Sequence, residues 1–216
     1  YYNGNFDKLK ADFNTDYYTS KKESNSYVNE TSQEYNNQSL HTVNNVKNRL
    51  FASKLVLSYP VLGGQISFGN EYTNTNREDK YRNDEGIIAA SNISINEQNS
   101  AFFAEYSRNS SLGQMGLGIR YENVVSDYFN NNNKVQEQSR KYDQWFPNIS
   151  LSKQLKNVQL QLSYTKKTKR PTYRQLSSNI FYANRFTLQT GNPYLKPSII
   201  HDLTLVSSWK IAQATV

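Results

Sequence analysis

Few residues in this sequence combine in a pattern that could carry out covalent chemistry. The two histidines, His41 and His201, stand alone; Asp202 follows His201, but neither histidine has partners at the spacing of a metal site. The chain has no cysteine, which excludes a thiol nucleophile, a cysteine-zinc site and a disulfide scaffold. We find no serine-histidine-aspartate set, glycine-rich phosphate loop or pair of carboxylates. The sequence therefore predicts no catalytic residue, no metal and no cofactor, and the chain is not expected to be an enzyme.

Residues suited to noncovalent binding lie in a long polar stretch near the C-terminal end, Lys166–Ser198. Tyrosine rings can stack on flat or sugar-like surfaces, and arginine and asparagine side chains can hydrogen-bond to them. Within this stretch the candidates for contact with a ligand are Arg170, Tyr173, Tyr182 and Arg185.

The composition limits which elements could position these residues. The chain has 216 residues and a net charge of +7, with 36% hydrophobic and 13% aromatic residues. Mean hydropathy is -0.82, and no stretch approaches the roughly 18 apolar residues of a membrane-spanning helix. The aromatic content argues against a disordered chain, because disordered chains contain few aromatic residues.

Alternation of apolar and polar residues predicts an all-β chain of about eight strands. One face of each segment is apolar and the other polar, as in a sheet that separates two environments. The four clearest segments are Leu9–Tyr17, Gln65–Tyr72, Gln114–Glu122 and Val158–Thr165. Four weaker ones are Phe51–Tyr59, Ser100–Ser107, Trp145–Lys153 and Ile199–Trp209.

Short and long connections alternate between these strands. The short ones are Pro60–Gly64, Arg108–Gly113 and Lys153–Asn157, and the long polar ones are Thr19–Asn48, Thr73–Ala89, Asn123–Asp143 and Lys166–Ser198. In an antiparallel up-and-down meander every second connection lies at the same end. All short turns would therefore share one end and all long loops the other, which is typical of a transmembrane β-barrel of the outer membrane. In such a barrel the apolar faces meet lipid and the backbone is paired by the sheet.

Two segments resemble the barrel of TonB-dependent outer-membrane receptors, in particular the outer-membrane β-barrel family of Bacteroides-type bacteria. The first, Asn96–Asn123, contains Glu105-Tyr106 followed by Gly118-Ile119-Arg120-Tyr121-Glu122. The second, Trp145–Pro197, matches the family motif at Tyr164, Arg170, Pro171, Tyr173, Leu176, Gly191, Asn192, Pro193, Leu195, Lys196 and Pro197. The resemblance covers roughly half of the chain closely and the rest by pattern.

The resemblance implies a barrel fragment within a larger receptor. The family barrel commonly has about twenty-two strands around an N-terminal plug. We therefore expect residues 1–216 to form a partial barrel domain without a plug. An inner-membrane energy-coupling protein would act through the missing N-terminal part. Further expected partners are outer-membrane lipid, lipopolysaccharide and a surface lipoprotein.

Two motifs have both a structural and a binding interpretation. The basic cluster Lys166–Arg170 could contact lipopolysaccharide phosphate or an anionic ligand, or it could be a solvated strand end. Nucleic-acid binding is not expected, because the strand pattern already explains the flanking tyrosines. Arg170-Pro171 should end a strand, since proline cannot donate to the ladder. The Gly191–Pro197 motif has the chemistry of a turn that returns the chain to the membrane.

Two functions follow from these observations. The first is a barrel segment of an outer-membrane receptor for energy-coupled uptake of a bulky solute, such as a glycan or a siderophore. The alternative is a soluble or surface-attached antiparallel β module that binds glycan or protein. The first places the chain in the bacterial outer membrane, whereas the second would fold and remain monomeric in buffer.

Overall fold

The computed structural model confirms an all-β chain. It describes residues 1–209 and, as backbone only, residues 212–215. A 3₁₀ helix covers Gln136–Gln138 and a short helix, α1, covers Tyr173–Leu176. The strands are β1 (Tyr2–Phe6), β2 (Leu9–Glu30), β3 (Gln38–Val61), β4 (Gly64–Asn83), β5 (Ser91–Ser110), β6 (Gly113–Asn130), β7 (Asn133–Lys134), β8 (Arg140–Leu155), β9 (Val158–Lys169), β10 (Ile180–Asn184), β11 (Thr187–Thr190), β12 (Ser198–Trp209) and β13 (Ala212–Thr215).

The sheet is an antiparallel meander whose strands follow one another in chain order along the sheet. Within the described ranges its path is β1-β2-β3-β4-β5-β6-β8-β9-β12-β13, with β7 paired to β6 and β10 and β11 forming a separate hairpin. The path holds ten strands rather than the eight predicted. The additional strands, β1 and β13, have five and four residues, too few for an alternating pattern to be distinguished from chance.

Short and longer connections lie on opposite rims, as predicted. On one rim the two-residue turns of the described chain are Asp7–Lys8, Leu62–Gly63, Ser111–Leu112 and Lys156–Asn157. Leu62 and Gly63 have φ angles of 51° and 70°, the left-handed conformation that tight hairpin turns require. The connections on the other rim span residues 31–37, 84–90, 131–139 and 170–197. We call these the short-turn rim and the long-loop rim.

Three of the predicted long loops are wrong over most of their length. Most of Thr19–Asn48 belongs to β2 and β3, whose pairing continues to Glu30 opposite Gln38. Thr73–Ala89 and Asn123–Asp143 likewise contain the ends of β4, β6 and β8. Most residues there are polar, and the apolar ones, such as Leu40, Val43 and Val46, do not recur at every second position. Hydrophobic alternation therefore ends although the backbone hydrogen bonds continue. A strand in water needs backbone partners but no apolar face.

The fourth predicted loop is a genuine departure from the sheet. After β9 ends at Lys169, residues 170–197 form α1 and the β10–β11 hairpin before β12 begins; we call this segment the excursion. Thr172 and Gln175 close a capping box at the start of α1. Leu176 packs in a buried cluster with Ile93, Ile95 and Tyr128 of the sheet. The excursion therefore folds back over one face of the sheet.

The two faces of the sheet differ in chemistry. The face under the excursion, called the inner face, carries Glu71, Arg120 and Glu122. The opposite, outer face exposes large apolar side chains, including Phe68, Phe102, Leu117, Ile149 and Leu203. The sheet is a single layer, so these side chains are not buried against a second sheet in the described chain. None of the helices in the described ranges is long and apolar enough to span a membrane.

Candidate functional site

A row of alternating charges crosses the inner face. Arg120 on β6 bonds Glu71 on β4 at 3.1 Å and Glu122, two residues along its own strand, at 2.7 Å. Arg170 bonds the other oxygen of Glu122 at 2.7 Å and lies 3.8 Å from Glu97 on β5. Period-two alternation places these strand residues on one face, and the register of the sheet brings them into contact. Charge-assisted hydrogen bonds of this kind fix side chains firmly.

An aromatic ring lies beside this row. Phe103 on β5 stands directly opposite Gly69 and Arg120 in the ladders on its two sides. Its ring lies over Gly69, in the space that a β-carbon there would occupy. The Lys54 ammonium is 5.4 Å and the Arg120 guanidinium 5.9 Å from the ring centroid. The glycine thus makes room for a ring that contacts two cations through its face.

A cavity of about 780 Å³ opens over this row and ring. Its other walls include Phe146 and Asn148 of β8, Thr165 and Lys167 of β9. Most of the lining groups are charged or polar, so the cavity suits a polar surface or solute. It contains donors, acceptors and ion pairs, and the arrangement can bind and orient a group by hydrogen bonds and charge.

The excursion is fixed to the inner face by buried polar contacts. Asn179 is fully buried, donates to the Asp79 carboxylate at 2.8 Å and accepts from the Ser91 hydroxyl at 2.5 Å. The Tyr173 ring lies 5.9 Å from the guanidinium of Arg77, which bonds Asp79 at 3.3 Å. Buried amide and carboxylate groups that satisfy each other hold a segment in one position.

A second contact ties the excursion to the long-loop rim. The Arg185 side chain and backbone amide each bond the Glu30 carboxylate at 2.8 Å, and the Tyr182 hydroxyl donates to it at 3.0 Å. Desolvation raises the pKa of Glu30, but the hydrogen bonds from Arg185 and Tyr182 outweigh it and hold the pKa below its usual value. This carboxylate therefore joins the end of β2 to the excursion; we call these three residues the rim clamp.

Comparison with known proteins identifies the fold that carries this site. The model of the outer membrane protein beta-barrel family matches residues 4–216. The chain belongs to this family. The outer membrane is accordingly its location, and the outer face is the face that meets lipid. A search of curated proteins found no match. The restriction to Bacteroides-type bacteria stays a prediction.

A solved receptor structure shares the fold of this family member. The ferric yersiniabactin uptake receptor FyuA from Yersinia pestis superposes with a TM-score of 0.60 at 12% identity. The similarity covers 99% of this chain and 33% of the receptor chain. The chain therefore spans about a third of the receptor's length, and its sheet has the fold of part of such a barrel.

The four candidate ligand residues fall into two groups in this barrel segment. Arg170 and Tyr173 lie on the inner face, and Tyr182 and Arg185 belong to the rim clamp. All four contact protein groups: Arg170 bonds Glu122, Tyr173 packs beside Arg77, and the other two bond Glu30. These contacts give them a structural role. Their contact with a ligand stays a prediction.

The family-motif residues stand where the excursion leaves and rejoins the sheet. Arg170-Pro171 directly follows the last residue of β9. Gly191 packs against α1, where a β-carbon would come within 2.5 Å of the Gln175 and Ser177 carbonyl oxygens. The last five members of the motif form the stretch that leads into β12: Asn192, Pro193, Leu195, Lys196 and Pro197.

Two bonds hold this return stretch. The backbone N–H of Asn192 donates to the Gln175 carbonyl at 2.6 Å, and the Pro193 carbonyl accepts a hydrogen bond from the Arg140 side chain. The turn therefore rests on α1 and on β8.

Some residues of the site were not predicted. Alternation placed Arg120 and Glu122 on the polar face, but their partners depend on strand register, which the sequence does not reveal. Asn179 looks like an ordinary loop asparagine. On the long-loop rim Tyr35 and Phe186 are exposed and meet edge to face at 5.8 Å, and only the fold brings these distant residues together.

Proposed function

We propose that this chain is part of the barrel wall of an outer-membrane receptor that takes up a bulky solute by energy coupling. The observation that carries the proposal is the excursion. It folds inward across the inner face from the long-loop rim instead of extending into solvent. In a complete barrel, a segment in this position would narrow the entrance. A barrel segment with a built entrance is suited to selective capture of a large solute rather than to open diffusion.

The structural comparison supports the same function. FyuA is an uptake receptor for ferric yersiniabactin, and this chain has the fold of part of its barrel. A glycan or a metal chelate fits the tyrosine, asparagine and arginine side chains of the long-loop rim. The proposed partners are outer-membrane lipid and lipopolysaccharide, an inner-membrane energy-coupling protein and a surface lipoprotein. We further propose that the protein does no chemistry on its solute.

Uptake by cells tests this function. The gene is deleted and restored on a plasmid, and uptake of labelled oligosaccharides and ferric chelates is compared between the two strains. Restored uptake of at least one solute that stops when a protonophore collapses the inner-membrane gradient is expected. Uptake that continues after the protonophore would overturn energy coupling. Chemically altered solute appearing only with the restored gene would overturn the claim of no chemistry.

The alternative of a soluble β module is disfavoured by the exposed apolar outer face. Phe68, Phe102 and Leu203 are 52%, 58% and 70% exposed, which a soluble sheet would bury. The two forms differ in solubility. The protein should require detergent and migrate differently on gels with and without heating. Monomeric behaviour in plain buffer would favour the alternative.

A further inference from the structure

The sheet divides on the long-loop side of β8. Strand β8 pairs with β6 from Ser152 to Arg140 but with β9 only from Leu155 to Asn148. Beyond that point β9 continues as far as Lys169 in register with β12. Residues 140–147 and 166–169 thus face each other without a ladder in the described chain; we call this gap the seam.

The division coincides with a proline. Pro147 is the first residue of β8 beyond the last pair with β9, Asn148 opposite Thr165. Proline has no backbone N–H and cannot donate to a neighbouring strand, so it is tolerated in a sheet mainly where pairing ends. Pro147 therefore marks in the sequence the point at which the seam begins.

A cavity of about 570 Å³ lies at the seam. One side is lined by Tyr142 and Gln144 of β8 and the other by Thr168 of β9 and Ile199 of β12. Tyr194, from the return stretch of the excursion, is half-exposed and also lines the cavity. The lining combines rings, an aliphatic side chain and hydrogen-bonding groups, a mixture suited to an amphipathic molecule.

The charge of this cavity is positive. Arg140, Lys141 and Lys196 line it, against one carboxylate, Glu137. None of the three cations has a carboxylate oxygen within 4 Å among residues 1–209, and Arg140 is instead bonded to the Pro193 carbonyl. Two lysines with no acidic partner, Lys141 and Lys196, are exposed at the cavity. Such a cavity attracts an anion.

The seam lies at the height of lipid headgroups. Tyr121 and Trp145 lie opposite each other on the outer face with ring centroids 4.9 Å apart, and aromatic residues of a barrel collect at the membrane interface. Lys141 follows Trp145 toward the long-loop rim, four residues away on the same face, with Asp143 between them on that face. Long loops mark the extracellular side of such barrels. The cations therefore stand where the phosphates of the outer leaflet lie.

We propose that the seam binds the phosphorylated headgroup of an outer-leaflet glycolipid. Lys141 and Lys196 hold the phosphate, and Tyr194 packs against the attached sugar. The proposal rests on the outer-membrane location and not on solute uptake, so the two can fail separately.

Binding of lipid A to the purified full-length protein tests the site. Native mass spectrometry in detergent micelles compares diphosphoryl lipid A with its fully dephosphorylated form. We expect the diphosphoryl form to bind at least about tenfold more tightly, and the double substitution Lys141→Gln with Lys196→Gln to remove most of that difference, because each cation near a membrane phosphate contributes appreciably to binding. Equal binding of both lipids to the unsubstituted protein would overturn the proposal.

A matched control removes the same charge elsewhere. Lys153→Gln with Lys156→Gln changes two lysines at the short-turn rim and should leave lipid A binding unchanged. An equal loss in both double variants would show a general charge effect and overturn the site. Inorganic phosphate is the third arm: displacement of lipid A at millimolar concentration would assign the site to free phosphate instead. Heat-modifiable migration on a gel reports whether each variant is folded. The comparison of the two lipids on the unsubstituted protein tests the proposal even where a variant does not fold.

Discussion

Among single residues, Glu122 joins the two arginines of the charge row on the inner face. Its two oxygens bond Arg120 and Arg170, each at 2.7 Å, and its side chain is 15% exposed. Glu122→Gln should lower stability by about 1–3 kcal/mol, because hydrogen bonds to charged groups are lost and two guanidiniums lose their shared partner. The temperature at which the folded band disappears on a gel measures this. Glu105→Gln, on the same face but exposed and without an ion pair in the described chain, is the control and should change little.

Glu30 makes the rim clamp sensitive to pH. Its pKa is lowered in the folded protein, so its contribution to docking is complete above the ordinary value of 4.5 and is lost as pH falls through the folded pKa. Acidification below that range should therefore speed hydrogen exchange at the Arg185 amide, which bonds Glu30. Glu30→Gln should show faster exchange already at neutral pH and little further change on acidification. Unchanged exchange in acid would contradict the role of the carboxylate.

At the scale of elements, the excursion depends on one apolar anchor. Leu176 is 8% exposed and packs on Ile93, Ile95 and Tyr128, so Leu176→Ala should weaken docking by about 2–5 kcal/mol. We expect faster proteolysis within residues 180–197 while the barrel keeps its heat-modifiable migration. The control is Leu188→Ala in the β10–β11 hairpin, where the side chain is 58% exposed. Equal protease sensitivity of both variants would contradict the anchoring role.

The strands show what the sequence can and cannot reveal. Alternation located the segment from Val158 to Thr165 because lipid on one side and water on the other force a period of two. It failed at Lys21 opposite Lys47, because both faces of the sheet meet water there and any polar residue is acceptable. The prolines and glycines of the excursion marked its ends. Its docking could not be predicted, since Asn179 and Asp79 are 100 residues apart in sequence.

At the scale of the whole molecule, the membrane location predicts opposite responses on the two faces. Leu162 faces outward and is 45% exposed, whereas Gln161 alternates with it on the inner face. Leu162→Lys should destabilise the protein folded in lipid vesicles, because a charge then enters hydrocarbon. The free-energy cost is about 2–4 kcal/mol at the bilayer midplane and falls toward the interface. Gln161→Lys should fold normally. The yield of the heat-modifiable band reports both, and equal yields would contradict the assignment of the faces.

The length of β2 and β3 has a consequence for the cell surface. At about 3.3 Å per residue, the 22 residues of β2 measure roughly 70 Å, while crossing a bilayer needs only about 9–11 residues. About half of the hairpin therefore projects outward beyond the lipid, with Tyr35 near its tip. This projection places the rim well outside the membrane, where it is accessible to particles far too large to enter a pore.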